Sequence, residues 1–287
     1  MQSFDYQKVY SVQEALDAVS RRPSVFMAGG TDLLVRIKER EIQPRCVIDI
    51  KGVREMDGLA ISGDELSVGA LTSIRILETS PSAVETVPLL AQAAAKLGSV
   101  QVRYRATIGG NLCNASPSAE TAPALLALDA RAAIFGKTGT RVVDLGEFFL
   151  GPGATVIGDG EILTRIKIPL TLNRQGAVYY KLSTRKAMDL AFVGVAVLLE
   201  LDKDDRVSRA RIALGAVAPT PIRVPSAEKL LEDGEFTLGA VRESAELAAQ
   251  SCKPISDLRA TAEYRREMVR ELCQRGLLAA HRQAKCE

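Results

Sequence analysis

The 287-residue chain has no tryptophan and one histidine, His281, in a polar C-terminal stretch. A single imidazole cannot build a multi-histidine metal centre, and no Ser–His–Asp arrangement is in prospect. Five cysteines (Cys46, Cys113, Cys252, Cys273, Cys286) are scattered, odd in number and never spaced CxxC. That argues against a structural zinc or an iron–sulfur cluster held by this chain alone, and fits reduced thiols in the cytoplasm. No apolar run reaches 18 residues, so no membrane span is expected. The N-terminal segment MQSFDYQKVYSVQEAL carries Asp5 and Glu14 and no apolar core, unlike a signal or transit peptide. There is no basic block: 37 basic and 35 acidic residues leave a net charge of +2, which gives nucleic acid or an anionic membrane no electrostatic foothold. Neither GxGxxG nor a Walker A lysine occurs, which disfavours Rossmann and P-loop nucleotide sites.

What the chain does have is two glycine pairs about 80 residues apart, in MAGGTDLL (27–34) and ATIGGNLCNASPSAETAP (106–123). Each reads as a tight turn between apolar residues and small polar ones, where glycine permits positive φ and close approach of a ligand to the main chain. In the first, Gly29, Gly30 and Thr31 can cradle an anion, with the Thr31 hydroxyl and the Asp32 N–H as donors and a helix N-terminus behind them. In the second, Thr107, Gly109, Gly110 and Asn111 offer short donors and open backbone. Asn114, Ser116 and Ser118 add polar side chains there, and Glu120 adds a carboxylate suited to sugar or polyol hydroxyls. Together the two turns could wall in one phosphate-bearing molecule. On the residues alone each also reads more simply, the first as a strand-to-helix connection and the second as a polar loop with Glu120 serving the helix dipole.

The surrounding pattern predicts an α+β protein. Residues 12–20 read as an amphipathic helix, SVFMAGG as a buried strand, and DLLVRIKER as a helix capped by Thr31, followed by the buried strand RCVIDI. This is a small parallel α/β unit assigned to residues 1–54. Residues 55–172 read as antiparallel β with helices: a hairpin around Gly63 and Asp64, a helix between Pro88 and Gly98, a helix in APALLALDA, and the strands RAAIFG, RVVDLGEFF and EILTRIKIP. Residues 173–287 read as three strands followed by helices. LAFVGVAVLLEL is assigned to strand because Val193, Val195 and Val197 are β-branched. In the last helix Tyr264, Met268, Leu272, Leu277 and Leu278 are expected to form the apolar stripe.

AGGTDLL, RATIGGNLCNASPSAETAPALLALDA, EILTRIKIP and YYKLSTRKAMDLA, in that order over the whole length, resemble the FAD-binding medium subunit of the molybdenum hydroxylases, the family of xanthine dehydrogenase, carbon monoxide dehydrogenase and N-heterocycle dehydrogenases. The resemblance implies that Phe26, Met27, Ala28, Gly29, Gly30, Thr31, Asp32 and Leu33 wrap the FAD pyrophosphate. It implies that Thr107, Ile108, Gly109, Gly110 and Asn111 form a second phosphate- and flavin-contacting loop. Leu97, Leu163 and Lys181 match further cofactor contacts, and Glu120 stands where many relatives carry an aspartate touching sugar hydroxyls. Asp189 matches a recurrent acidic position, read as structural.

The implied partners are a large molybdopterin-binding subunit and a small subunit with [2Fe-2S] clusters, doubled as a heterohexamer. Electrons would leave for an external acceptor such as NAD or a quinone. No catalytic side chain is expected, because the flavin carries the redox chemistry. Two other readings are a self-contained flavin oxidase, for which the chain offers no evident substrate base, and a non-catalytic assembly subunit with a vestigial flavin pocket, which the intact GGT and IGGN segments disfavour.

Overall fold

The computed structural model describes residues 3–21, 23–171 and 174–286. The α+β class expected from the sequence is the one observed, organised around three main sheets. The first is parallel, with Cys46–Asp49 between Asp5–Lys8 and Ser24–Met27. All four residues of the central strand are buried, which accounts for its unbroken apolar run CVI. The helices Val12–Arg21 and Leu33–Lys38 precede and follow the strand Ser24–Met27. The outer strand Asp5–Lys8 is largely exposed and carries no apolar signal that would mark it as a strand in the sequence.

Thr31 is not the cap of the second helix. Asp32 holds the N-cap position with a helical backbone and no side-chain capping bond, and the Thr31 hydroxyl lies 3.3 Å from its carboxylate. The helix also stops at Lys38, short of the expected residue 40, where Arg40 turns left-handed at φ 63°.

The second sheet is antiparallel, in the order Leu59–Ser62, Glu65–Gly69, Ile162–Pro169, Arg131–Gly136, Gly139–Asp144. Its first two strands are the expected hairpin, with Gly63 at φ +60°. Between Glu65–Gly69 and Arg131–Gly136 the chain makes a run of short helices. Pro88 opens one of them at the first helical position, and Gly98 follows it at φ +52°. The second glycine pair lies in this run.

The third sheet has four strands rather than three: Arg174–Leu182, Val193–Leu201, Val207–Gly215 and the two-residue Ile222–Arg223. Val193–Leu201 is a strand, buried at all nine positions. Its side chains divide by the pleat: Val193, Val195, Val197, Leu199 and Leu201 join the core with the C-terminal helices, while Ala196 and Leu198 join the core of the first two sheets. The strand therefore fastens the C-terminal unit to the rest.

The last helix, Ala262–Cys286, buries Arg265, Val269, Cys273, Gly276, Leu277, Ala280 and Ala284. This is one position round from the expected stripe, apart from Leu277; Tyr264 is exposed, and Met268, Leu272 and Leu278 are only partly buried. Close packing decides the face. A Cβ on Gly276 would come 2.9 Å from Val197, and one on Gly176 would overlap the Ala280 carbonyl, so small residues let helix and sheet meet backbone to backbone.

Candidate functional site

Both glycine segments open onto one cleft of about 810 Å³, a size suited to a cofactor. One wall is residues 28–33 and another comprises Thr107, Gly109, Gly110, Asn111 and Glu120. Thr155, Ile157, Glu161, Ile162 and Leu163 form a third, and Arg185, Met188, Asp189 and Leu190 a fourth. Phe26, Leu97 and Val102 add apolar surface.

The two glycine segments touch. A methyl group on Gly29 would overlap the carbonyl of Arg105, just before the second segment. Gly30 adopts φ +76°, the conformation anticipated for the first turn. Among the described residues, the main-chain N–H groups of Gly29, Gly30, Thr31 and Asp32 donate to no protein acceptor. Four successive uncommitted amides in the wall of a cleft form a donor set for an anion.

The second segment differs from expectation. Residues 108–113 are a short helix rather than a positive-φ turn, and Thr107 caps it. Its amides are committed: Ile108 N–H to Thr72 O (3.1 Å), Gly109 N–H to Ala70 O (2.9 Å), Gly110 N–H to Thr107 Oγ1 (3.1 Å) and Asn111 N–H to Thr107 O (3.0 Å). What this wall offers is side chains and a bare surface. The Asn111 carbonyl oxygen accepts from the Thr121 hydroxyl, leaving its amide N–H groups for a ligand. A Cβ on Gly110 would meet only Thr107 Oγ1, at 3.0 Å, whereas one on Gly109 would meet Ala70 at 2.7 Å. Gly109 thus serves packing, and Gly110 keeps the wall flat.

Glu120 is 6% exposed and lines the cleft. Burial pushes its carboxyl above the usual range, against the opposing pull of the Lys181 ammonium at 2.7 Å. Three expected site residues do not reach the cleft surface. Ile108 is fully buried in the core, Met27 belongs to the strand Ser24–Met27, and the Lys181 side chain is enclosed. The Lys181 ammonium is met by three protein oxygens, on Lys96, Glu120 and Asp189. The remaining expected residues, Phe26, Ala28, Gly29, Gly30, Thr31, Asp32, Leu33, Leu97, Thr107, Gly109, Gly110, Asn111, Glu120 and Leu163, are brought together.

Sequence reasoning missed Arg36, Cys113, Thr155, Ile157, Glu161, Arg185, Met188 and Arg259 in the lining. The glycines at 151, 153, 158 and 160 were a usable signal for the third wall. Arg259 lies far along the sequence and had none. Asp189 accepts from the N–H groups of Arg185 (2.8 Å) and Leu190 (3.1 Å), and the Arg185 amide above all holds its carboxyl low, a loop-shaping role. Among the described residues there is no cluster fit to hold a metal and no helix long and apolar enough to cross a membrane.

The cleft combines anion-binding amides, a buried carboxylate for hydroxyl donors and apolar surface for a planar ring. These features fit a dinucleotide carrying a flat heterocycle.

Comparison with known proteins points the same way. Residues 2–171 match the family described as the FAD binding domain in molybdopterin dehydrogenase, and residues 178–280 match the CO dehydrogenase flavoprotein C-terminal domain. The chain is 35% identical to the carbon monoxide dehydrogenase medium chain of Hydrogenophaga pseudoflava over 96% of both sequences. It is 30% identical to a putative xanthine dehydrogenase FAD-binding subunit of Escherichia coli (strain K12), over 94% of this chain and 93% of that one. Among solved structures, a chain of the H. pseudoflava carbon monoxide dehydrogenase superposes with a TM-score of 0.95 at 34% identity, covering 98% of each. A chain of quinoline 2-oxidoreductase from Pseudomonas putida 86 superposes with a TM-score of 0.92 at 30% identity, covering 99% of this chain and 98% of that one.

Proposed function

The chain belongs to the family of FAD-binding medium subunits of the molybdenum hydroxylases, and we propose that it holds one FAD in the cleft and passes electrons from iron–sulfur clusters on a small partner subunit to an external acceptor. A large molybdopterin subunit would oxidise the substrate. NAD or a quinone would take the electrons, and the assembly would be a cytoplasmic heterohexamer.

The observation that carries this reading is the pairing, in one cleft, of four uncommitted amides at residues 29–32 with the buried carboxylate of Glu120. The amides would take the diphosphate, since successive N–H groups match its charge without a lysine. Glu120 and the Asn111 amide would hold sugar or ribityl hydroxyls, as a carboxylate is a strong acceptor for them. Phe26, Leu97 and Leu163 would pack on the planar ring and exclude water. The bound flavin supplies the redox chemistry, which is why no histidine, metal or nucleophile is needed in the wall. The protein's own contribution is binding, orientation and dielectric.

The test is purification of the chain with whatever accompanies it. FAD should appear in the supernatant after acid denaturation, and the co-purifying chains should be one large molybdopterin protein and one small iron–sulfur protein. Absence of bound flavin after reconstitution with excess FAD would overturn the reading. FAD bound without those partners, together with turnover by the isolated chain, would favour a self-contained oxidase.

A further inference from the structure

Lys181, on the strand Arg174–Leu182, sends its ammonium to three acceptors on three separate segments: Glu120 Oε1 at 2.7 Å, the Asp189 carbonyl at 2.7 Å and the Lys96 carbonyl at 3.0 Å. An ammonium has three N–H groups, so none is left for a ligand. The side chains of Lys181 and Glu120 are 6% and 8% exposed, so the pair is shielded from water.

Each acceptor sits at a structural junction beside the cleft. Lys96 ends the helix Pro88–Ala95, and Glu120 begins the helix Thr121–Ala127. Asp189 belongs to the segment 183–190, which supplies the cleft's fourth wall. That segment is otherwise tied inward by the Met188 N–H to the Gly98 carbonyl (3.1 Å), and just beyond its end by the Ser118 hydroxyl to the Ala191 carbonyl (3.0 Å). Thr184, Arg185, Lys186, Ala187 and Met188 are exposed, so few other contacts hold them. Glu120 meets Lys181 through Oε1 alone, its carboxylate is also held by its own backbone N–H, and the residue lines the cleft.

We propose that Lys181 is a positioning residue for the cofactor site: it acts through Glu120 and the 183–190 segment, fixing the cleft-lining carboxylate where it can accept from a hydroxyl of the ligand and holding the fourth wall in place. The ligand half of this statement rests on the FAD reading; the wall half does not.

The full-length chain, freed of flavin, is compared as wild type, Lys181→Met, Glu120→Gln and the double variant. Two quantities are read: FAD affinity by quenching of flavin fluorescence, and the rate of tryptic cleavage after Arg185 and Lys186, located by mass spectrometry. Lys181→Met should weaken FAD binding about tenfold or more and speed cleavage at those two sites. Glu120→Gln should weaken binding while leaving cleavage slow, because two of the three tethers remain. The double variant removes both charges, so it folds even if the unpaired carboxylate unfolds the single variant, and it too should be cleaved fast.

Slow cleavage in both lysine variants would overturn the proposal. So would unchanged FAD affinity with a shifted flavin absorption band or midpoint potential in Lys181→Met, which would mean a direct contact with the ring. If wild type binds no FAD while cleavage still follows the tether, the FAD reading fails and the wall half stands.

Discussion

Gly29 lies with its α-carbon against the carbonyl oxygen of Arg105, so close that a β-carbon on Gly29 would overlap it. This contact joins the two glycine segments and sets the gap between two walls of the cleft. Gly29 has no positive φ, so its requirement for glycine is one of space. The neighbour is backbone and cannot swing aside as a side chain would. Gly29→Ala should therefore cost about 1–3 kcal/mol of stability and lower the flavin content of purified protein. A urea titration with a wild-type midpoint would show that the walls separate without strain.

Gly109 and Gly110 should behave differently although they are adjacent. A side chain at Gly109 collides with Ala70, so Gly109→Ala should destabilise the fold whether or not cofactor is present. At Gly110 a methyl group would meet only the Thr107 side-chain hydroxyl, at 3.0 Å, which must give by a few tenths of an ångström. Gly110→Ala should lose less of its denaturation midpoint than Gly109→Ala while losing FAD affinity, and Gly110→Val should lose more affinity. Equal effects on stability at the two positions would remove Gly110 from the ligand surface.

Much of this was legible in the residues, for physical reasons that differ from place to place. Val193, Val195 and Val197 marked a strand because β-branching suits the pleat, and Pro88 with Gly98 bracketed a helix because each fits one end. The paired glycines located the cleft, but not how each works. Whether Gly109 gives its space to a ligand or to Ala70 depends on a neighbour about forty residues away. Asp5–Lys8 gains its strand from pairing with Cys46–Asp49, not from any apolar pattern. The three oxygens around the Lys181 ammonium, on residues 85, 61 and 8 positions away, cannot be read from the sequence. The face of the last helix was missed because a buried arginine and small residues, rather than large apolar ones, make its contacts.

Glu161, in the cleft wall, accepts from Arg141 Nε and Nη2 and from the Gly158 N–H, each at 2.7 Å. The Arg141 guanidinium first, and the Gly158 amide second, lower its carboxyl from 4.5 to about 2. The folded chain releases this proton more readily than the unfolded one, so the unfolded chain binds more protons between those two values. The contribution to stability is therefore fully present above pH 4.5 and is lost as pH falls toward about 2. Wild type should exceed Glu161→Gln in urea midpoint by a constant amount from pH 7 to pH 5, and the difference should shrink on further acidification. A difference that stays constant down to pH 3 would mean that the ion pair is not the cause.

Arg265 is an arginine in a helix face otherwise built for close packing, 3% exposed. Its guanidinium donates to the Ala216 carbonyl (3.0 Å), to the Phe192 carbonyl (3.2 Å) and to Asp257 (2.7 Å). Ala216 stands at φ 63°, costly for alanine, and its N–H reaches the Pro117 carbonyl at 2.7 Å, beside the second cleft wall. One side chain thus satisfies two buried carbonyls at the ends of adjacent strands and supports a strained residue that touches the cofactor segment. Removing it leaves both oxygens without a donor among the described residues. Arg265→Ala should cost on the order of 3 kcal/mol or more and reduce flavin retention from a position outside the cleft lining. Arg265→Lys should recover only part of the loss, because a single ammonium cannot span both carbonyls and Asp257 with the arginine's planar fork. Among the described residues the Arg265 Nε has no partner, so none of the deficit in the lysine variant can come from that atom. Denaturation midpoints and bound flavin measured on the two variants decide it: full recovery by lysine would show that charge alone, and not the fork, holds the strand ends.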